Sequence, residues 1–354
     1  MKKNLTKNIK MRLLIIRTSA MGDVALTVPV IKSLIRQYPG IEVLLLTNPA
    51  FKPFFISVPD LTIIDAYFKK KHKGFRGLFR LFRQIRGYGE IDYIIDIHDV
   101  FRSKVLRIMF MLSGSKVFVI DKGRKEKKLL ISGQQKGYLK HTIERYKDVL
   151  AKAGYPIEMS KHPSIIPDWD ATGKAEEILS KPTGLKIGVA PYAKHQLKMW
   201  PEENMIKLLN LISDTNVVSF YLFGGGYHEE VMLKSFADRV PDSFVVAGKM
   251  SLTDELALIS KLDFMICMDS SNMHMAALTG IRVVSIWGGT HPAAGFGPIN
   301  QPDDYVIQIP ETELTCRPCT IYGNGTCRRG DLACLNWLTP EMARKQLFKL
   351  GLIK

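Results

Sequence analysis

The sequence has no apolar run long enough to cross a lipid bilayer, which takes roughly 18 to 20 consecutive apolar residues. Its apolar stretch near the N-terminus, Leu13 to Ile16, is also shorter than the roughly 7 to 15 residues at the centre of a secretory signal. Both absences favour a cytoplasmic protein in which residues 1–10 form a polar, basic extension. The chain of 354 residues is long enough for two domains of ordinary size.

Three motifs of common enzyme classes are also missing. The sequence contains no G-x-x-x-x-G-K-[ST] phosphate loop, no G-x-G-x-x-G after a predicted strand, and no G-x-S-x-G nucleophile elbow. Kinase and dehydrogenase interpretations therefore lack their phosphate-binding loops, and a serine hydrolase interpretation lacks its nucleophile.

Cysteine is scarce, and four of the five cysteines fall within one short segment, at Cys316, Cys319, Cys327 and Cys334. A C-x-x-C pair followed by two more thiols could hold a zinc ion, although the last two cysteines lack the matching C-x-x-C spacing. The alternative, usual in a cytosolic protein, is a set of reduced cysteines in a surface lobe. The residues alone leave both interpretations open.

The formal charge is unbalanced, because lysine and arginine total 50 against 34 acidic residues, a net charge of +16. This excess indicates an anionic partner: a phosphorylated substrate, a membrane surface or nucleic acid. The segment from Lys69 to Arg86 has basic and apolar residues interleaved and no acidic residue, KKKHKGFRGLFRLFRQIR. The pattern is typical of a basic amphipathic segment on an anionic bilayer. A solvated helix face over a domain core is the alternative.

Short apolar runs alternate with segments of helical periodicity along the chain. The first alternation begins with a strand at residues 11–16, and a second one begins with a strand at residues 186–190, after a proline-rich region. Strands of this length that alternate with helices predict α/β domains with doubly wound parallel sheets. The two halves are therefore expected to be two similar sheets.

The stretch from Asp263 to Pro298 predicts a strand, a polar turn, a helix, a second strand and a glycine loop. Such a turn places backbone N–H groups and a helix dipole at the carboxyl edge of a parallel sheet, where α/β proteins bind phosphorylated ligands. An ordinary crossover whose serines cap the helix is the alternative. Asp269 and His274 favour the binding site, because a fold needs neither of them at that edge.

Other candidate residues also follow predicted strands. Asp23 lies at a predicted helix start, where a carboxylate caps the helix or removes a proton from an acceptor hydroxyl. Lys198 either binds a phosphate or is an ordinary surface lysine. Gly224–Gly226 would let the backbone approach a ligand closely. Arg102 suits an anionic acceptor or a helix salt bridge.

Taken together, these residues resemble the heptosyltransferases of glycosyltransferase family 9, bacterial enzymes that transfer a sugar from ADP-heptose to the lipopolysaccharide core. The piece RLLIIRTSAMGDVALTVPVIKSL is similar to the opening motif of the family, and Arg102-Ser103 resembles its acceptor-side pair. Residues 269–274 fit its D-[ST]-x-x-x-H turn, and residues 288–292, which include Gly289 and Thr290, fit its G-x-[TS]-x-P loop.

The resemblance implies a role for each matched residue. Asp23 would be the catalytic base. The donor diphosphate and sugar would be bound by Lys198, Asp269, Ser270, Ser271, His274, Gly289 and Thr290. The nucleotide would contact Glu229 and Met250. The acceptor would be bound by Arg17, Arg102 and Ser103. No cofactor or catalytic metal is implied.

The resemblance also implies a GT-B fold, in which two Rossmann-like domains with doubly wound parallel sheets face each other across a cleft. Residues 11–165 would form the acceptor-binding domain, 166–184 a linker, and 185–338 the nucleotide-sugar-binding domain with a cysteine-containing lobe at 315–335. Residues 339–354 would form a helix that packs back on the N-terminal domain.

The expected reaction is an inverting, metal-independent transfer of heptose or a related sugar. The expected partners are ADP-heptose or a related nucleotide sugar, a phosphorylated lipid-linked glycan and the anionic inner face of the cytoplasmic membrane, but not nucleic acid. Two alternatives remain: another GT-B nucleotide-sugar enzyme, such as an epimerase or hydrolase, and a non-enzymatic protein that binds anionic surfaces or nucleic acid.

Overall fold

A computed structural model describes residues 11–160, 163–167, 173–180 and 184–354. The chain forms two compact units. The first comprises Met1–Lys122 and Ile143–Ser160, and the second comprises Gly123–Thr142 and Lys161–Lys354. Each unit contains one parallel sheet, as the alternation of strands and helices predicts.

The first unit has a five-stranded sheet in the order β3-β2-β1-β4-β5. The strands are β1 (Met11–Ile16), β2 (Ile41–Thr47), β3 (Leu61–Asp65), β4 (Tyr93–Asp96) and β5 (Lys116–Val119). The helices up to residue 152 are α1 (Met21–Ala25), α2 (Val28–Gln37), α3 (Gly74–Arg86), α4 (Phe101–Leu112), α5 (Arg124–Ile131) and α6 (Thr142–Lys152), of which α5 lies in the second unit.

The central strands of this sheet read as near-continuous apolar runs because helices cover both of their faces. The side chains of Leu13 and Leu14 on β1 are fully buried, as are those of Leu44 and Leu45 on β2. Since β1 is paired in parallel with both β2 and β4, the residues that follow β1 and β4 emerge at the same carboxyl edge.

The second unit has a six-stranded sheet in the order β11-β10-β9-β6-β7-β8. Its strands are β6 (Leu185–Ala190), β7 (Val218–Leu222), β8 (Ser243–Val245), β9 (Phe264–Met268), β10 (Arg282–Ile286) and β11 (Val306–Ile307). Its further helices are α7 (Gly173–Ser180), α8 (Glu202–Ser213), α9 (Gly226–Ala237), α10 (Leu252–Ser260), α11 (Ser271–Thr279), α12 (Ala333–Asn336) and α13 (Pro340–Lys349).

The boundaries of the units differ from the expected ones. Residues 123–142 were expected in the first domain but belong to the second unit. One reason is a shared hydrophobic cluster, in which Leu130 and Leu139 pack with Ala294 and Ile321. Part of the expected linker, residues 168–172 and 181–183, lies outside the described residues, and helix α7 between these gaps packs on α10.

The C-terminal helix also corrects an expectation. Helix α13 packs against α8 of the second unit, and its buried residues Ala343 and Leu347 belong to the core of that unit. The indole N–H of Trp200 donates to the carbonyl of Leu338 at 3.0 Å, directly before the helix. The apolar face of α13 is therefore buried in the core of the second unit, where the sequence analysis expected packing on the N-terminal domain.

Among the helices described, none is both long and apolar enough to span a membrane.

Candidate active site

The predicted donor residues lie at one edge of the second sheet. Strands β10, β9, β6, β7 and β8 are consecutive neighbours, and all of them are parallel. The segments that follow their carboxyl ends therefore emerge side by side. Gly289 and Thr290 follow β10, and Asp269, Ser270 and Ser271 follow β9. Lys198 follows β6, Glu229 follows β7, and Met250 follows β8.

Lys198 and Asp269 form an ion pair at the centre of this edge. The Lys198 Nζ lies 2.8 Å from the Asp269 Oδ2, and the side chains are 15% and 8% exposed. Asp269 immediately precedes the N-cap of α11, Ser270. The ammonium group is thus held close to the positive end of a helix, where unpaired N–H groups favour an anion.

Two hydroxyl groups at the same edge are buried without a partner. The Oγ of Ser270 and the Oγ1 of Thr290 make no hydrogen bond to any residue that the structure describes. A buried hydroxyl without a partner costs about 1 to 3 kcal/mol, so such groups in native proteins need an explanation. Ser270 follows Asp269 at the end of β9, and Thr290 follows the neighbouring strand β10, so a ligand bound at this edge would supply the missing partners. His274 is buried one turn into α11.

The glycine loop after β10 is packed too tightly for side chains. A Cβ atom on Gly288 would lie 2.5 Å from the side chain of Leu335, and one on Gly289 would lie 3.1 Å from the Sγ of Cys319. The Gly289 N–H donates to the carbonyl of Leu197 at 2.8 Å. This bond joins the glycine loop to the segment that carries Lys198.

Arg317 is a residue of this site that the sequence analysis missed. Its guanidinium donates to the carbonyls of Trp287, Gly288 at 2.5 Å and Thr290 at 3.2 Å. It also donates to the carbonyl of Ile309 and to the side chain of Gln308. Arg317 is buried, and burial lowers its pKa. One arginine therefore fixes the backbone of the whole glycine loop.

No motif spacing could have revealed Arg317, because the residues that it binds lie 8 to 30 positions earlier in the chain. The one available signal was its place between Cys316 and Cys319, in the cysteine lobe (residues 315–335). This lobe also contacts the site through Gly323, where a Cβ atom would lie 2.6 Å from the Lys198 side chain.

The family resemblance implies nucleotide binding at this edge, and on that expectation Arg317→Lys should increase the dissociation constant of ADP about tenfold or more. A lysine cannot supply the planar fork of donors that the loop carbonyls bind, and unsatisfied buried carbonyls would let the loop move. Isothermal titration with ADP measures the change. Arg239→Lys, which replaces an exposed arginine paired with Glu203 in the same unit, is the control. Unchanged ADP affinity in a folded Arg317→Lys protein would refute the role.

The cysteines are free thiols in this structure. Within the described parts of the chain, no three His, Cys, Asp or Glu residues are grouped so that they could hold a metal ion. Burial raises the pKa of Cys334 to about 11 and also raises that of Cys319. Both thiols are therefore protonated at neutral pH.

The two predicted nucleotide residues lie in the loops after β7 and β8. A carboxylate oxygen of Glu229 accepts a hydrogen bond from the Gly225 N–H at 2.7 Å, and this contact orders the glycine turn at the start of α9. Met250 is half-buried in the segment that precedes α10. Neither observation tests a role in nucleotide binding, so both assignments stay predictions.

In the first unit, the structure places Asp23 in α1, directly after the loop that follows β1. Its Oδ2 forms an ion pair with Arg17 and accepts a hydrogen bond from the Ala20 N–H at 3.4 Å. The carboxylate therefore does contact the helix start, as the capping alternative requires. Its side chain is nevertheless 29% exposed, which leaves it accessible to a substrate hydroxyl.

Arg17 is buried under Asp23. Its guanidinium donates to the carbonyl of Ile97 at 2.7 Å, and Tyr146 lies under it with the ring centroid at 5.9 Å. Since the charge of Arg17 is already engaged by Asp23, we assign it to positioning that carboxylate. Its predicted contact with the acceptor remains untested.

His98 lies at the same edge, after β4. Its ring nitrogens are each 3.2 Å from a hydroxyl oxygen, Nδ1 from Thr18 and Nε2 from Ser19. Burial, together with the charges of Arg17 and Lys122, lowers the pKa of His98 to about 4. The ring is therefore neutral at pH 7 and ties the loop after β1 to the end of β4.

The two other predicted acceptor residues differ in environment. Ser103 is buried, and its hydroxyl bonds with the N–H and the carbonyl of Val100 at 3.0 Å each, which caps the start of α4. Arg102 is exposed, with its guanidinium over the ring of Phe68 at 5.1 Å. Of the two, only Arg102 presents its side chain to solvent.

Comparison with solved structures identifies the fold. The chain resembles a crystal structure of a glycosyl transferase family 9 protein from Veillonella parvula, with a TM-score of 0.74 and 18% identity over 96% of this chain and 97% of the other. It also resembles the Escherichia coli heptosyltransferase WaaC with ADP, with a TM-score of 0.64 and 21% identity over 96% and 98% of the two chains. The two parallel-sheet units thus have the GT-B fold.

The sequence comparisons then give the family. The family model for glycosyltransferase family 9 (heptosyltransferase) matches residues 78–321. Lipopolysaccharide heptosyltransferase 1 of Escherichia coli O18:K1:H7 is 25% identical over 86% of this chain and 94% of its own length. The lipopolysaccharide core heptosyltransferase OpsX of Haemophilus influenzae is 24% identical over 83% of both chains. The chain belongs to glycosyltransferase family 9 and is a glycosyltransferase, which confirms the predicted family and fold class.

Proposed function

We propose that the protein transfers heptose or a related sugar from an ADP-sugar to a lipopolysaccharide-core or similar lipid-linked acceptor, with inversion at the anomeric carbon. The observation that carries the proposal is the Lys198–Asp269 pair at the start of α11. At the same sheet edge are the buried hydroxyls of Ser270 and Thr290, which have no hydrogen-bond partner among the residues that the structure describes. Membership of the heptosyltransferase family supports the choice of sugar.

The second unit would bind the donor. As the bond from the anomeric carbon to the diphosphate breaks, negative charge grows on the departing phosphate oxygen. Lys198 and the N–H groups at the start of α11 supply fixed positive potential for that charge, which lowers the barrier without reorganisation. Asp269 holds the lysine in place. The protein groups therefore provide the electrostatic stabilisation that the leaving group needs.

The first unit would bind the acceptor. In the proposed reaction, an acceptor hydroxyl oxygen attacks the anomeric carbon, and Asp23 accepts the hydroxyl proton as the new C–O bond forms. One base and one displacement give inversion, because no covalent sugar–enzyme intermediate is formed. Arg17 keeps the Asp23 carboxylate in one orientation during this step.

The net charge of +16 supports an acceptor that carries phosphate groups, and Arg102 is an exposed cation on the first turn of α4. We propose that the protein acts at the inner face of the cytoplasmic membrane, where a lipid-linked acceptor would be presented. It would associate with that surface peripherally.

A transfer assay with ADP-heptose and a deacylated lipopolysaccharide-core acceptor tests the proposal. We expect a glycosylated product and ADP in equal amounts, with the anomeric configuration inverted in the NMR spectrum of the product. Sugar release or epimerisation without acceptor would indicate the other enzyme classes. Salt-sensitive binding to nucleic acid without nucleotide-sugar binding would overturn the enzymatic proposal.

A further inference from the structure

Helix α3 exposes two phenylalanines to solvent. Leu78, Leu81 and Ile85 bury the inner face of the helix, whereas Phe75 is 66% exposed and Phe79 is 53% exposed. The spacing of four residues places Phe75 and Phe79 on one ridge of the helix. A solvated helix face over a domain core therefore explains the buried inner side of α3 but does not explain the exposed phenylalanines.

Helix α4 continues the apolar surface. Phe101, Val105, Ile108 and Leu112 recur at the spacing of one helix ridge, and Leu112 is 81% exposed. The ring of Phe101 packs edge-on against that of Phe75, with centroids 6.1 Å apart, so the two ridges meet. We call this surface the α3–α4 face; its exposed apolar residues are Phe75, Phe79, Phe101, Ile108, Met111 and Leu112.

Exposed basic side chains lie on α3, on the segment that precedes it and on the first turn of α4. The segment from Lys69 to Arg86 contains eight lysines and arginines and no acidic residue, and all eight side chains are exposed. Arg102 and Lys104 add two exposed cations on the first turn of α4. Cations around apolar side chains that can enter the acyl boundary are the features of a protein surface that binds anionic lipid.

We propose that the α3–α4 face docks the protein on an anionic phospholipid bilayer, with its phenylalanine and aliphatic side chains at the acyl boundary and its lysines and arginines on the lipid phosphates. The inference rests on the proposed function in one respect, that the acceptor is embedded in a membrane. It identifies the surface that brings the enzyme to that acceptor.

The composition of the face favours lipid over two other occupants. Nucleic acid would use the cations and aromatic rings but would gain nothing from Ile108, Met111 and Leu112, which offer no ring for base stacking. A second copy of this chain would bring two strongly basic surfaces together, and their repulsion opposes association. An anionic bilayer satisfies both the charge and the apolar side chains.

Flotation with vesicles of phosphatidylcholine containing 30 to 40% phosphatidylglycerol tests the proposal on the full chain. We expect Phe75→Ser/Leu112→Ser to bind at least about tenfold more weakly than the unmodified protein. Arg80→Glu/Arg83→Glu should also bind weakly, and raising the salt should release the unmodified protein. The matched control is Phe348→Ser, which replaces a phenylalanine that is 63% exposed on α13.

Equal flotation of Phe75→Ser/Leu112→Ser and Phe348→Ser would overturn the proposal. So would a change to a smaller oligomer in the Phe75→Ser/Leu112→Ser protein without loss of lipid binding, because the face would then be a contact between copies. The proposal would also be overturned if the protein bound RNA more tightly than vesicles and if that binding required Phe75, because the face would then bind nucleic acid.

Activity assays separate this inference from the proposed function. With a soluble, deacylated acceptor, Phe75→Ser/Leu112→Ser should keep the kcat/KM of the unmodified protein. With the acylated acceptor in vesicles, its rate should fall about as much as its lipid binding. Loss of both activities in a folded variant would contradict a docking role, whereas absence of heptose transfer by the unmodified protein would refute only the proposed function.

Discussion

Replacing Asp23 by asparagine is expected to reduce kcat for sugar transfer by about 10²- to 10⁴-fold, the usual contribution of a general base. The amide keeps the size and shape of the carboxylate but cannot accept the acceptor proton. ADP affinity should stay close to that of the unmodified protein, because the proposed donor residues all lie in the second unit. Single-turnover kinetics and ADP titration on the same preparation measure both quantities.

Two controls show whether a loss of kcat comes from the missing base or from loss of folding. Asparagine leaves the buried Arg17 without its ionic partner, so the melting temperature of Asp23→Asn must show that the first unit still folds. Asp60→Asn, an exposed aspartate of the same unit, controls for the substitution itself. Asp23 would lose its assignment as the base if a folded Asp23→Asn enzyme kept more than a tenth of the normal kcat.

Replacing Lys198 by methionine is expected to lower kcat/KM for the donor by about 10²- to 10³-fold, in the range found for the loss of one preorganised electrostatic group. The substitution removes the cation proposed for the leaving phosphate. It also leaves the carboxylate of Asp269, which is only 8% exposed, without its partner and facing the same ligand. ADP affinity should therefore fall as well.

The double variant Lys198→Met/Asp269→Asn separates these two causes. Removing the unpaired carboxylate should recover part of the ADP affinity, and the cycle gives the coupling between the two residues. The cation itself would still be absent, so kcat should remain low. Lys194→Met, in the same loop and exposed, is the control. Normal donor kinetics in Lys198→Met would show that the diphosphate binds elsewhere.

The sequence identified which residues meet at this edge of the second sheet, because that inference needed only local patterns. Parallel strands share one carboxyl edge, so residues that directly follow apolar strands necessarily come together there. Asp269 and Lys198 are 71 positions apart in the numbering of the chain, yet they meet in an ion pair because β9 and β6 are paired.

The predicted acceptor residues were harder to judge from position alone. Ser103 follows a strand and begins a helix, as a ligand-binding serine would, but its hydroxyl bonds to the backbone of Val100. Arg17 lies beside the candidate base, where its guanidinium pairs with Asp23. A strand end places a residue at the edge of the sheet, but the direction of its side chain depends on neighbours from other elements.

The sequence by itself determined the class of fold, the family and the edge where phosphate chemistry is expected, since strand periodicity and short motifs depend on neighbouring residues. Tertiary structure decided which unit receives α13, how Arg317 fixes the glycine loop, and that the apolar ridges of α3 and α4 join at Phe75 and Phe101. These features depend on which buried faces pack together, and packing between segments far apart in the chain has no local sequence pattern.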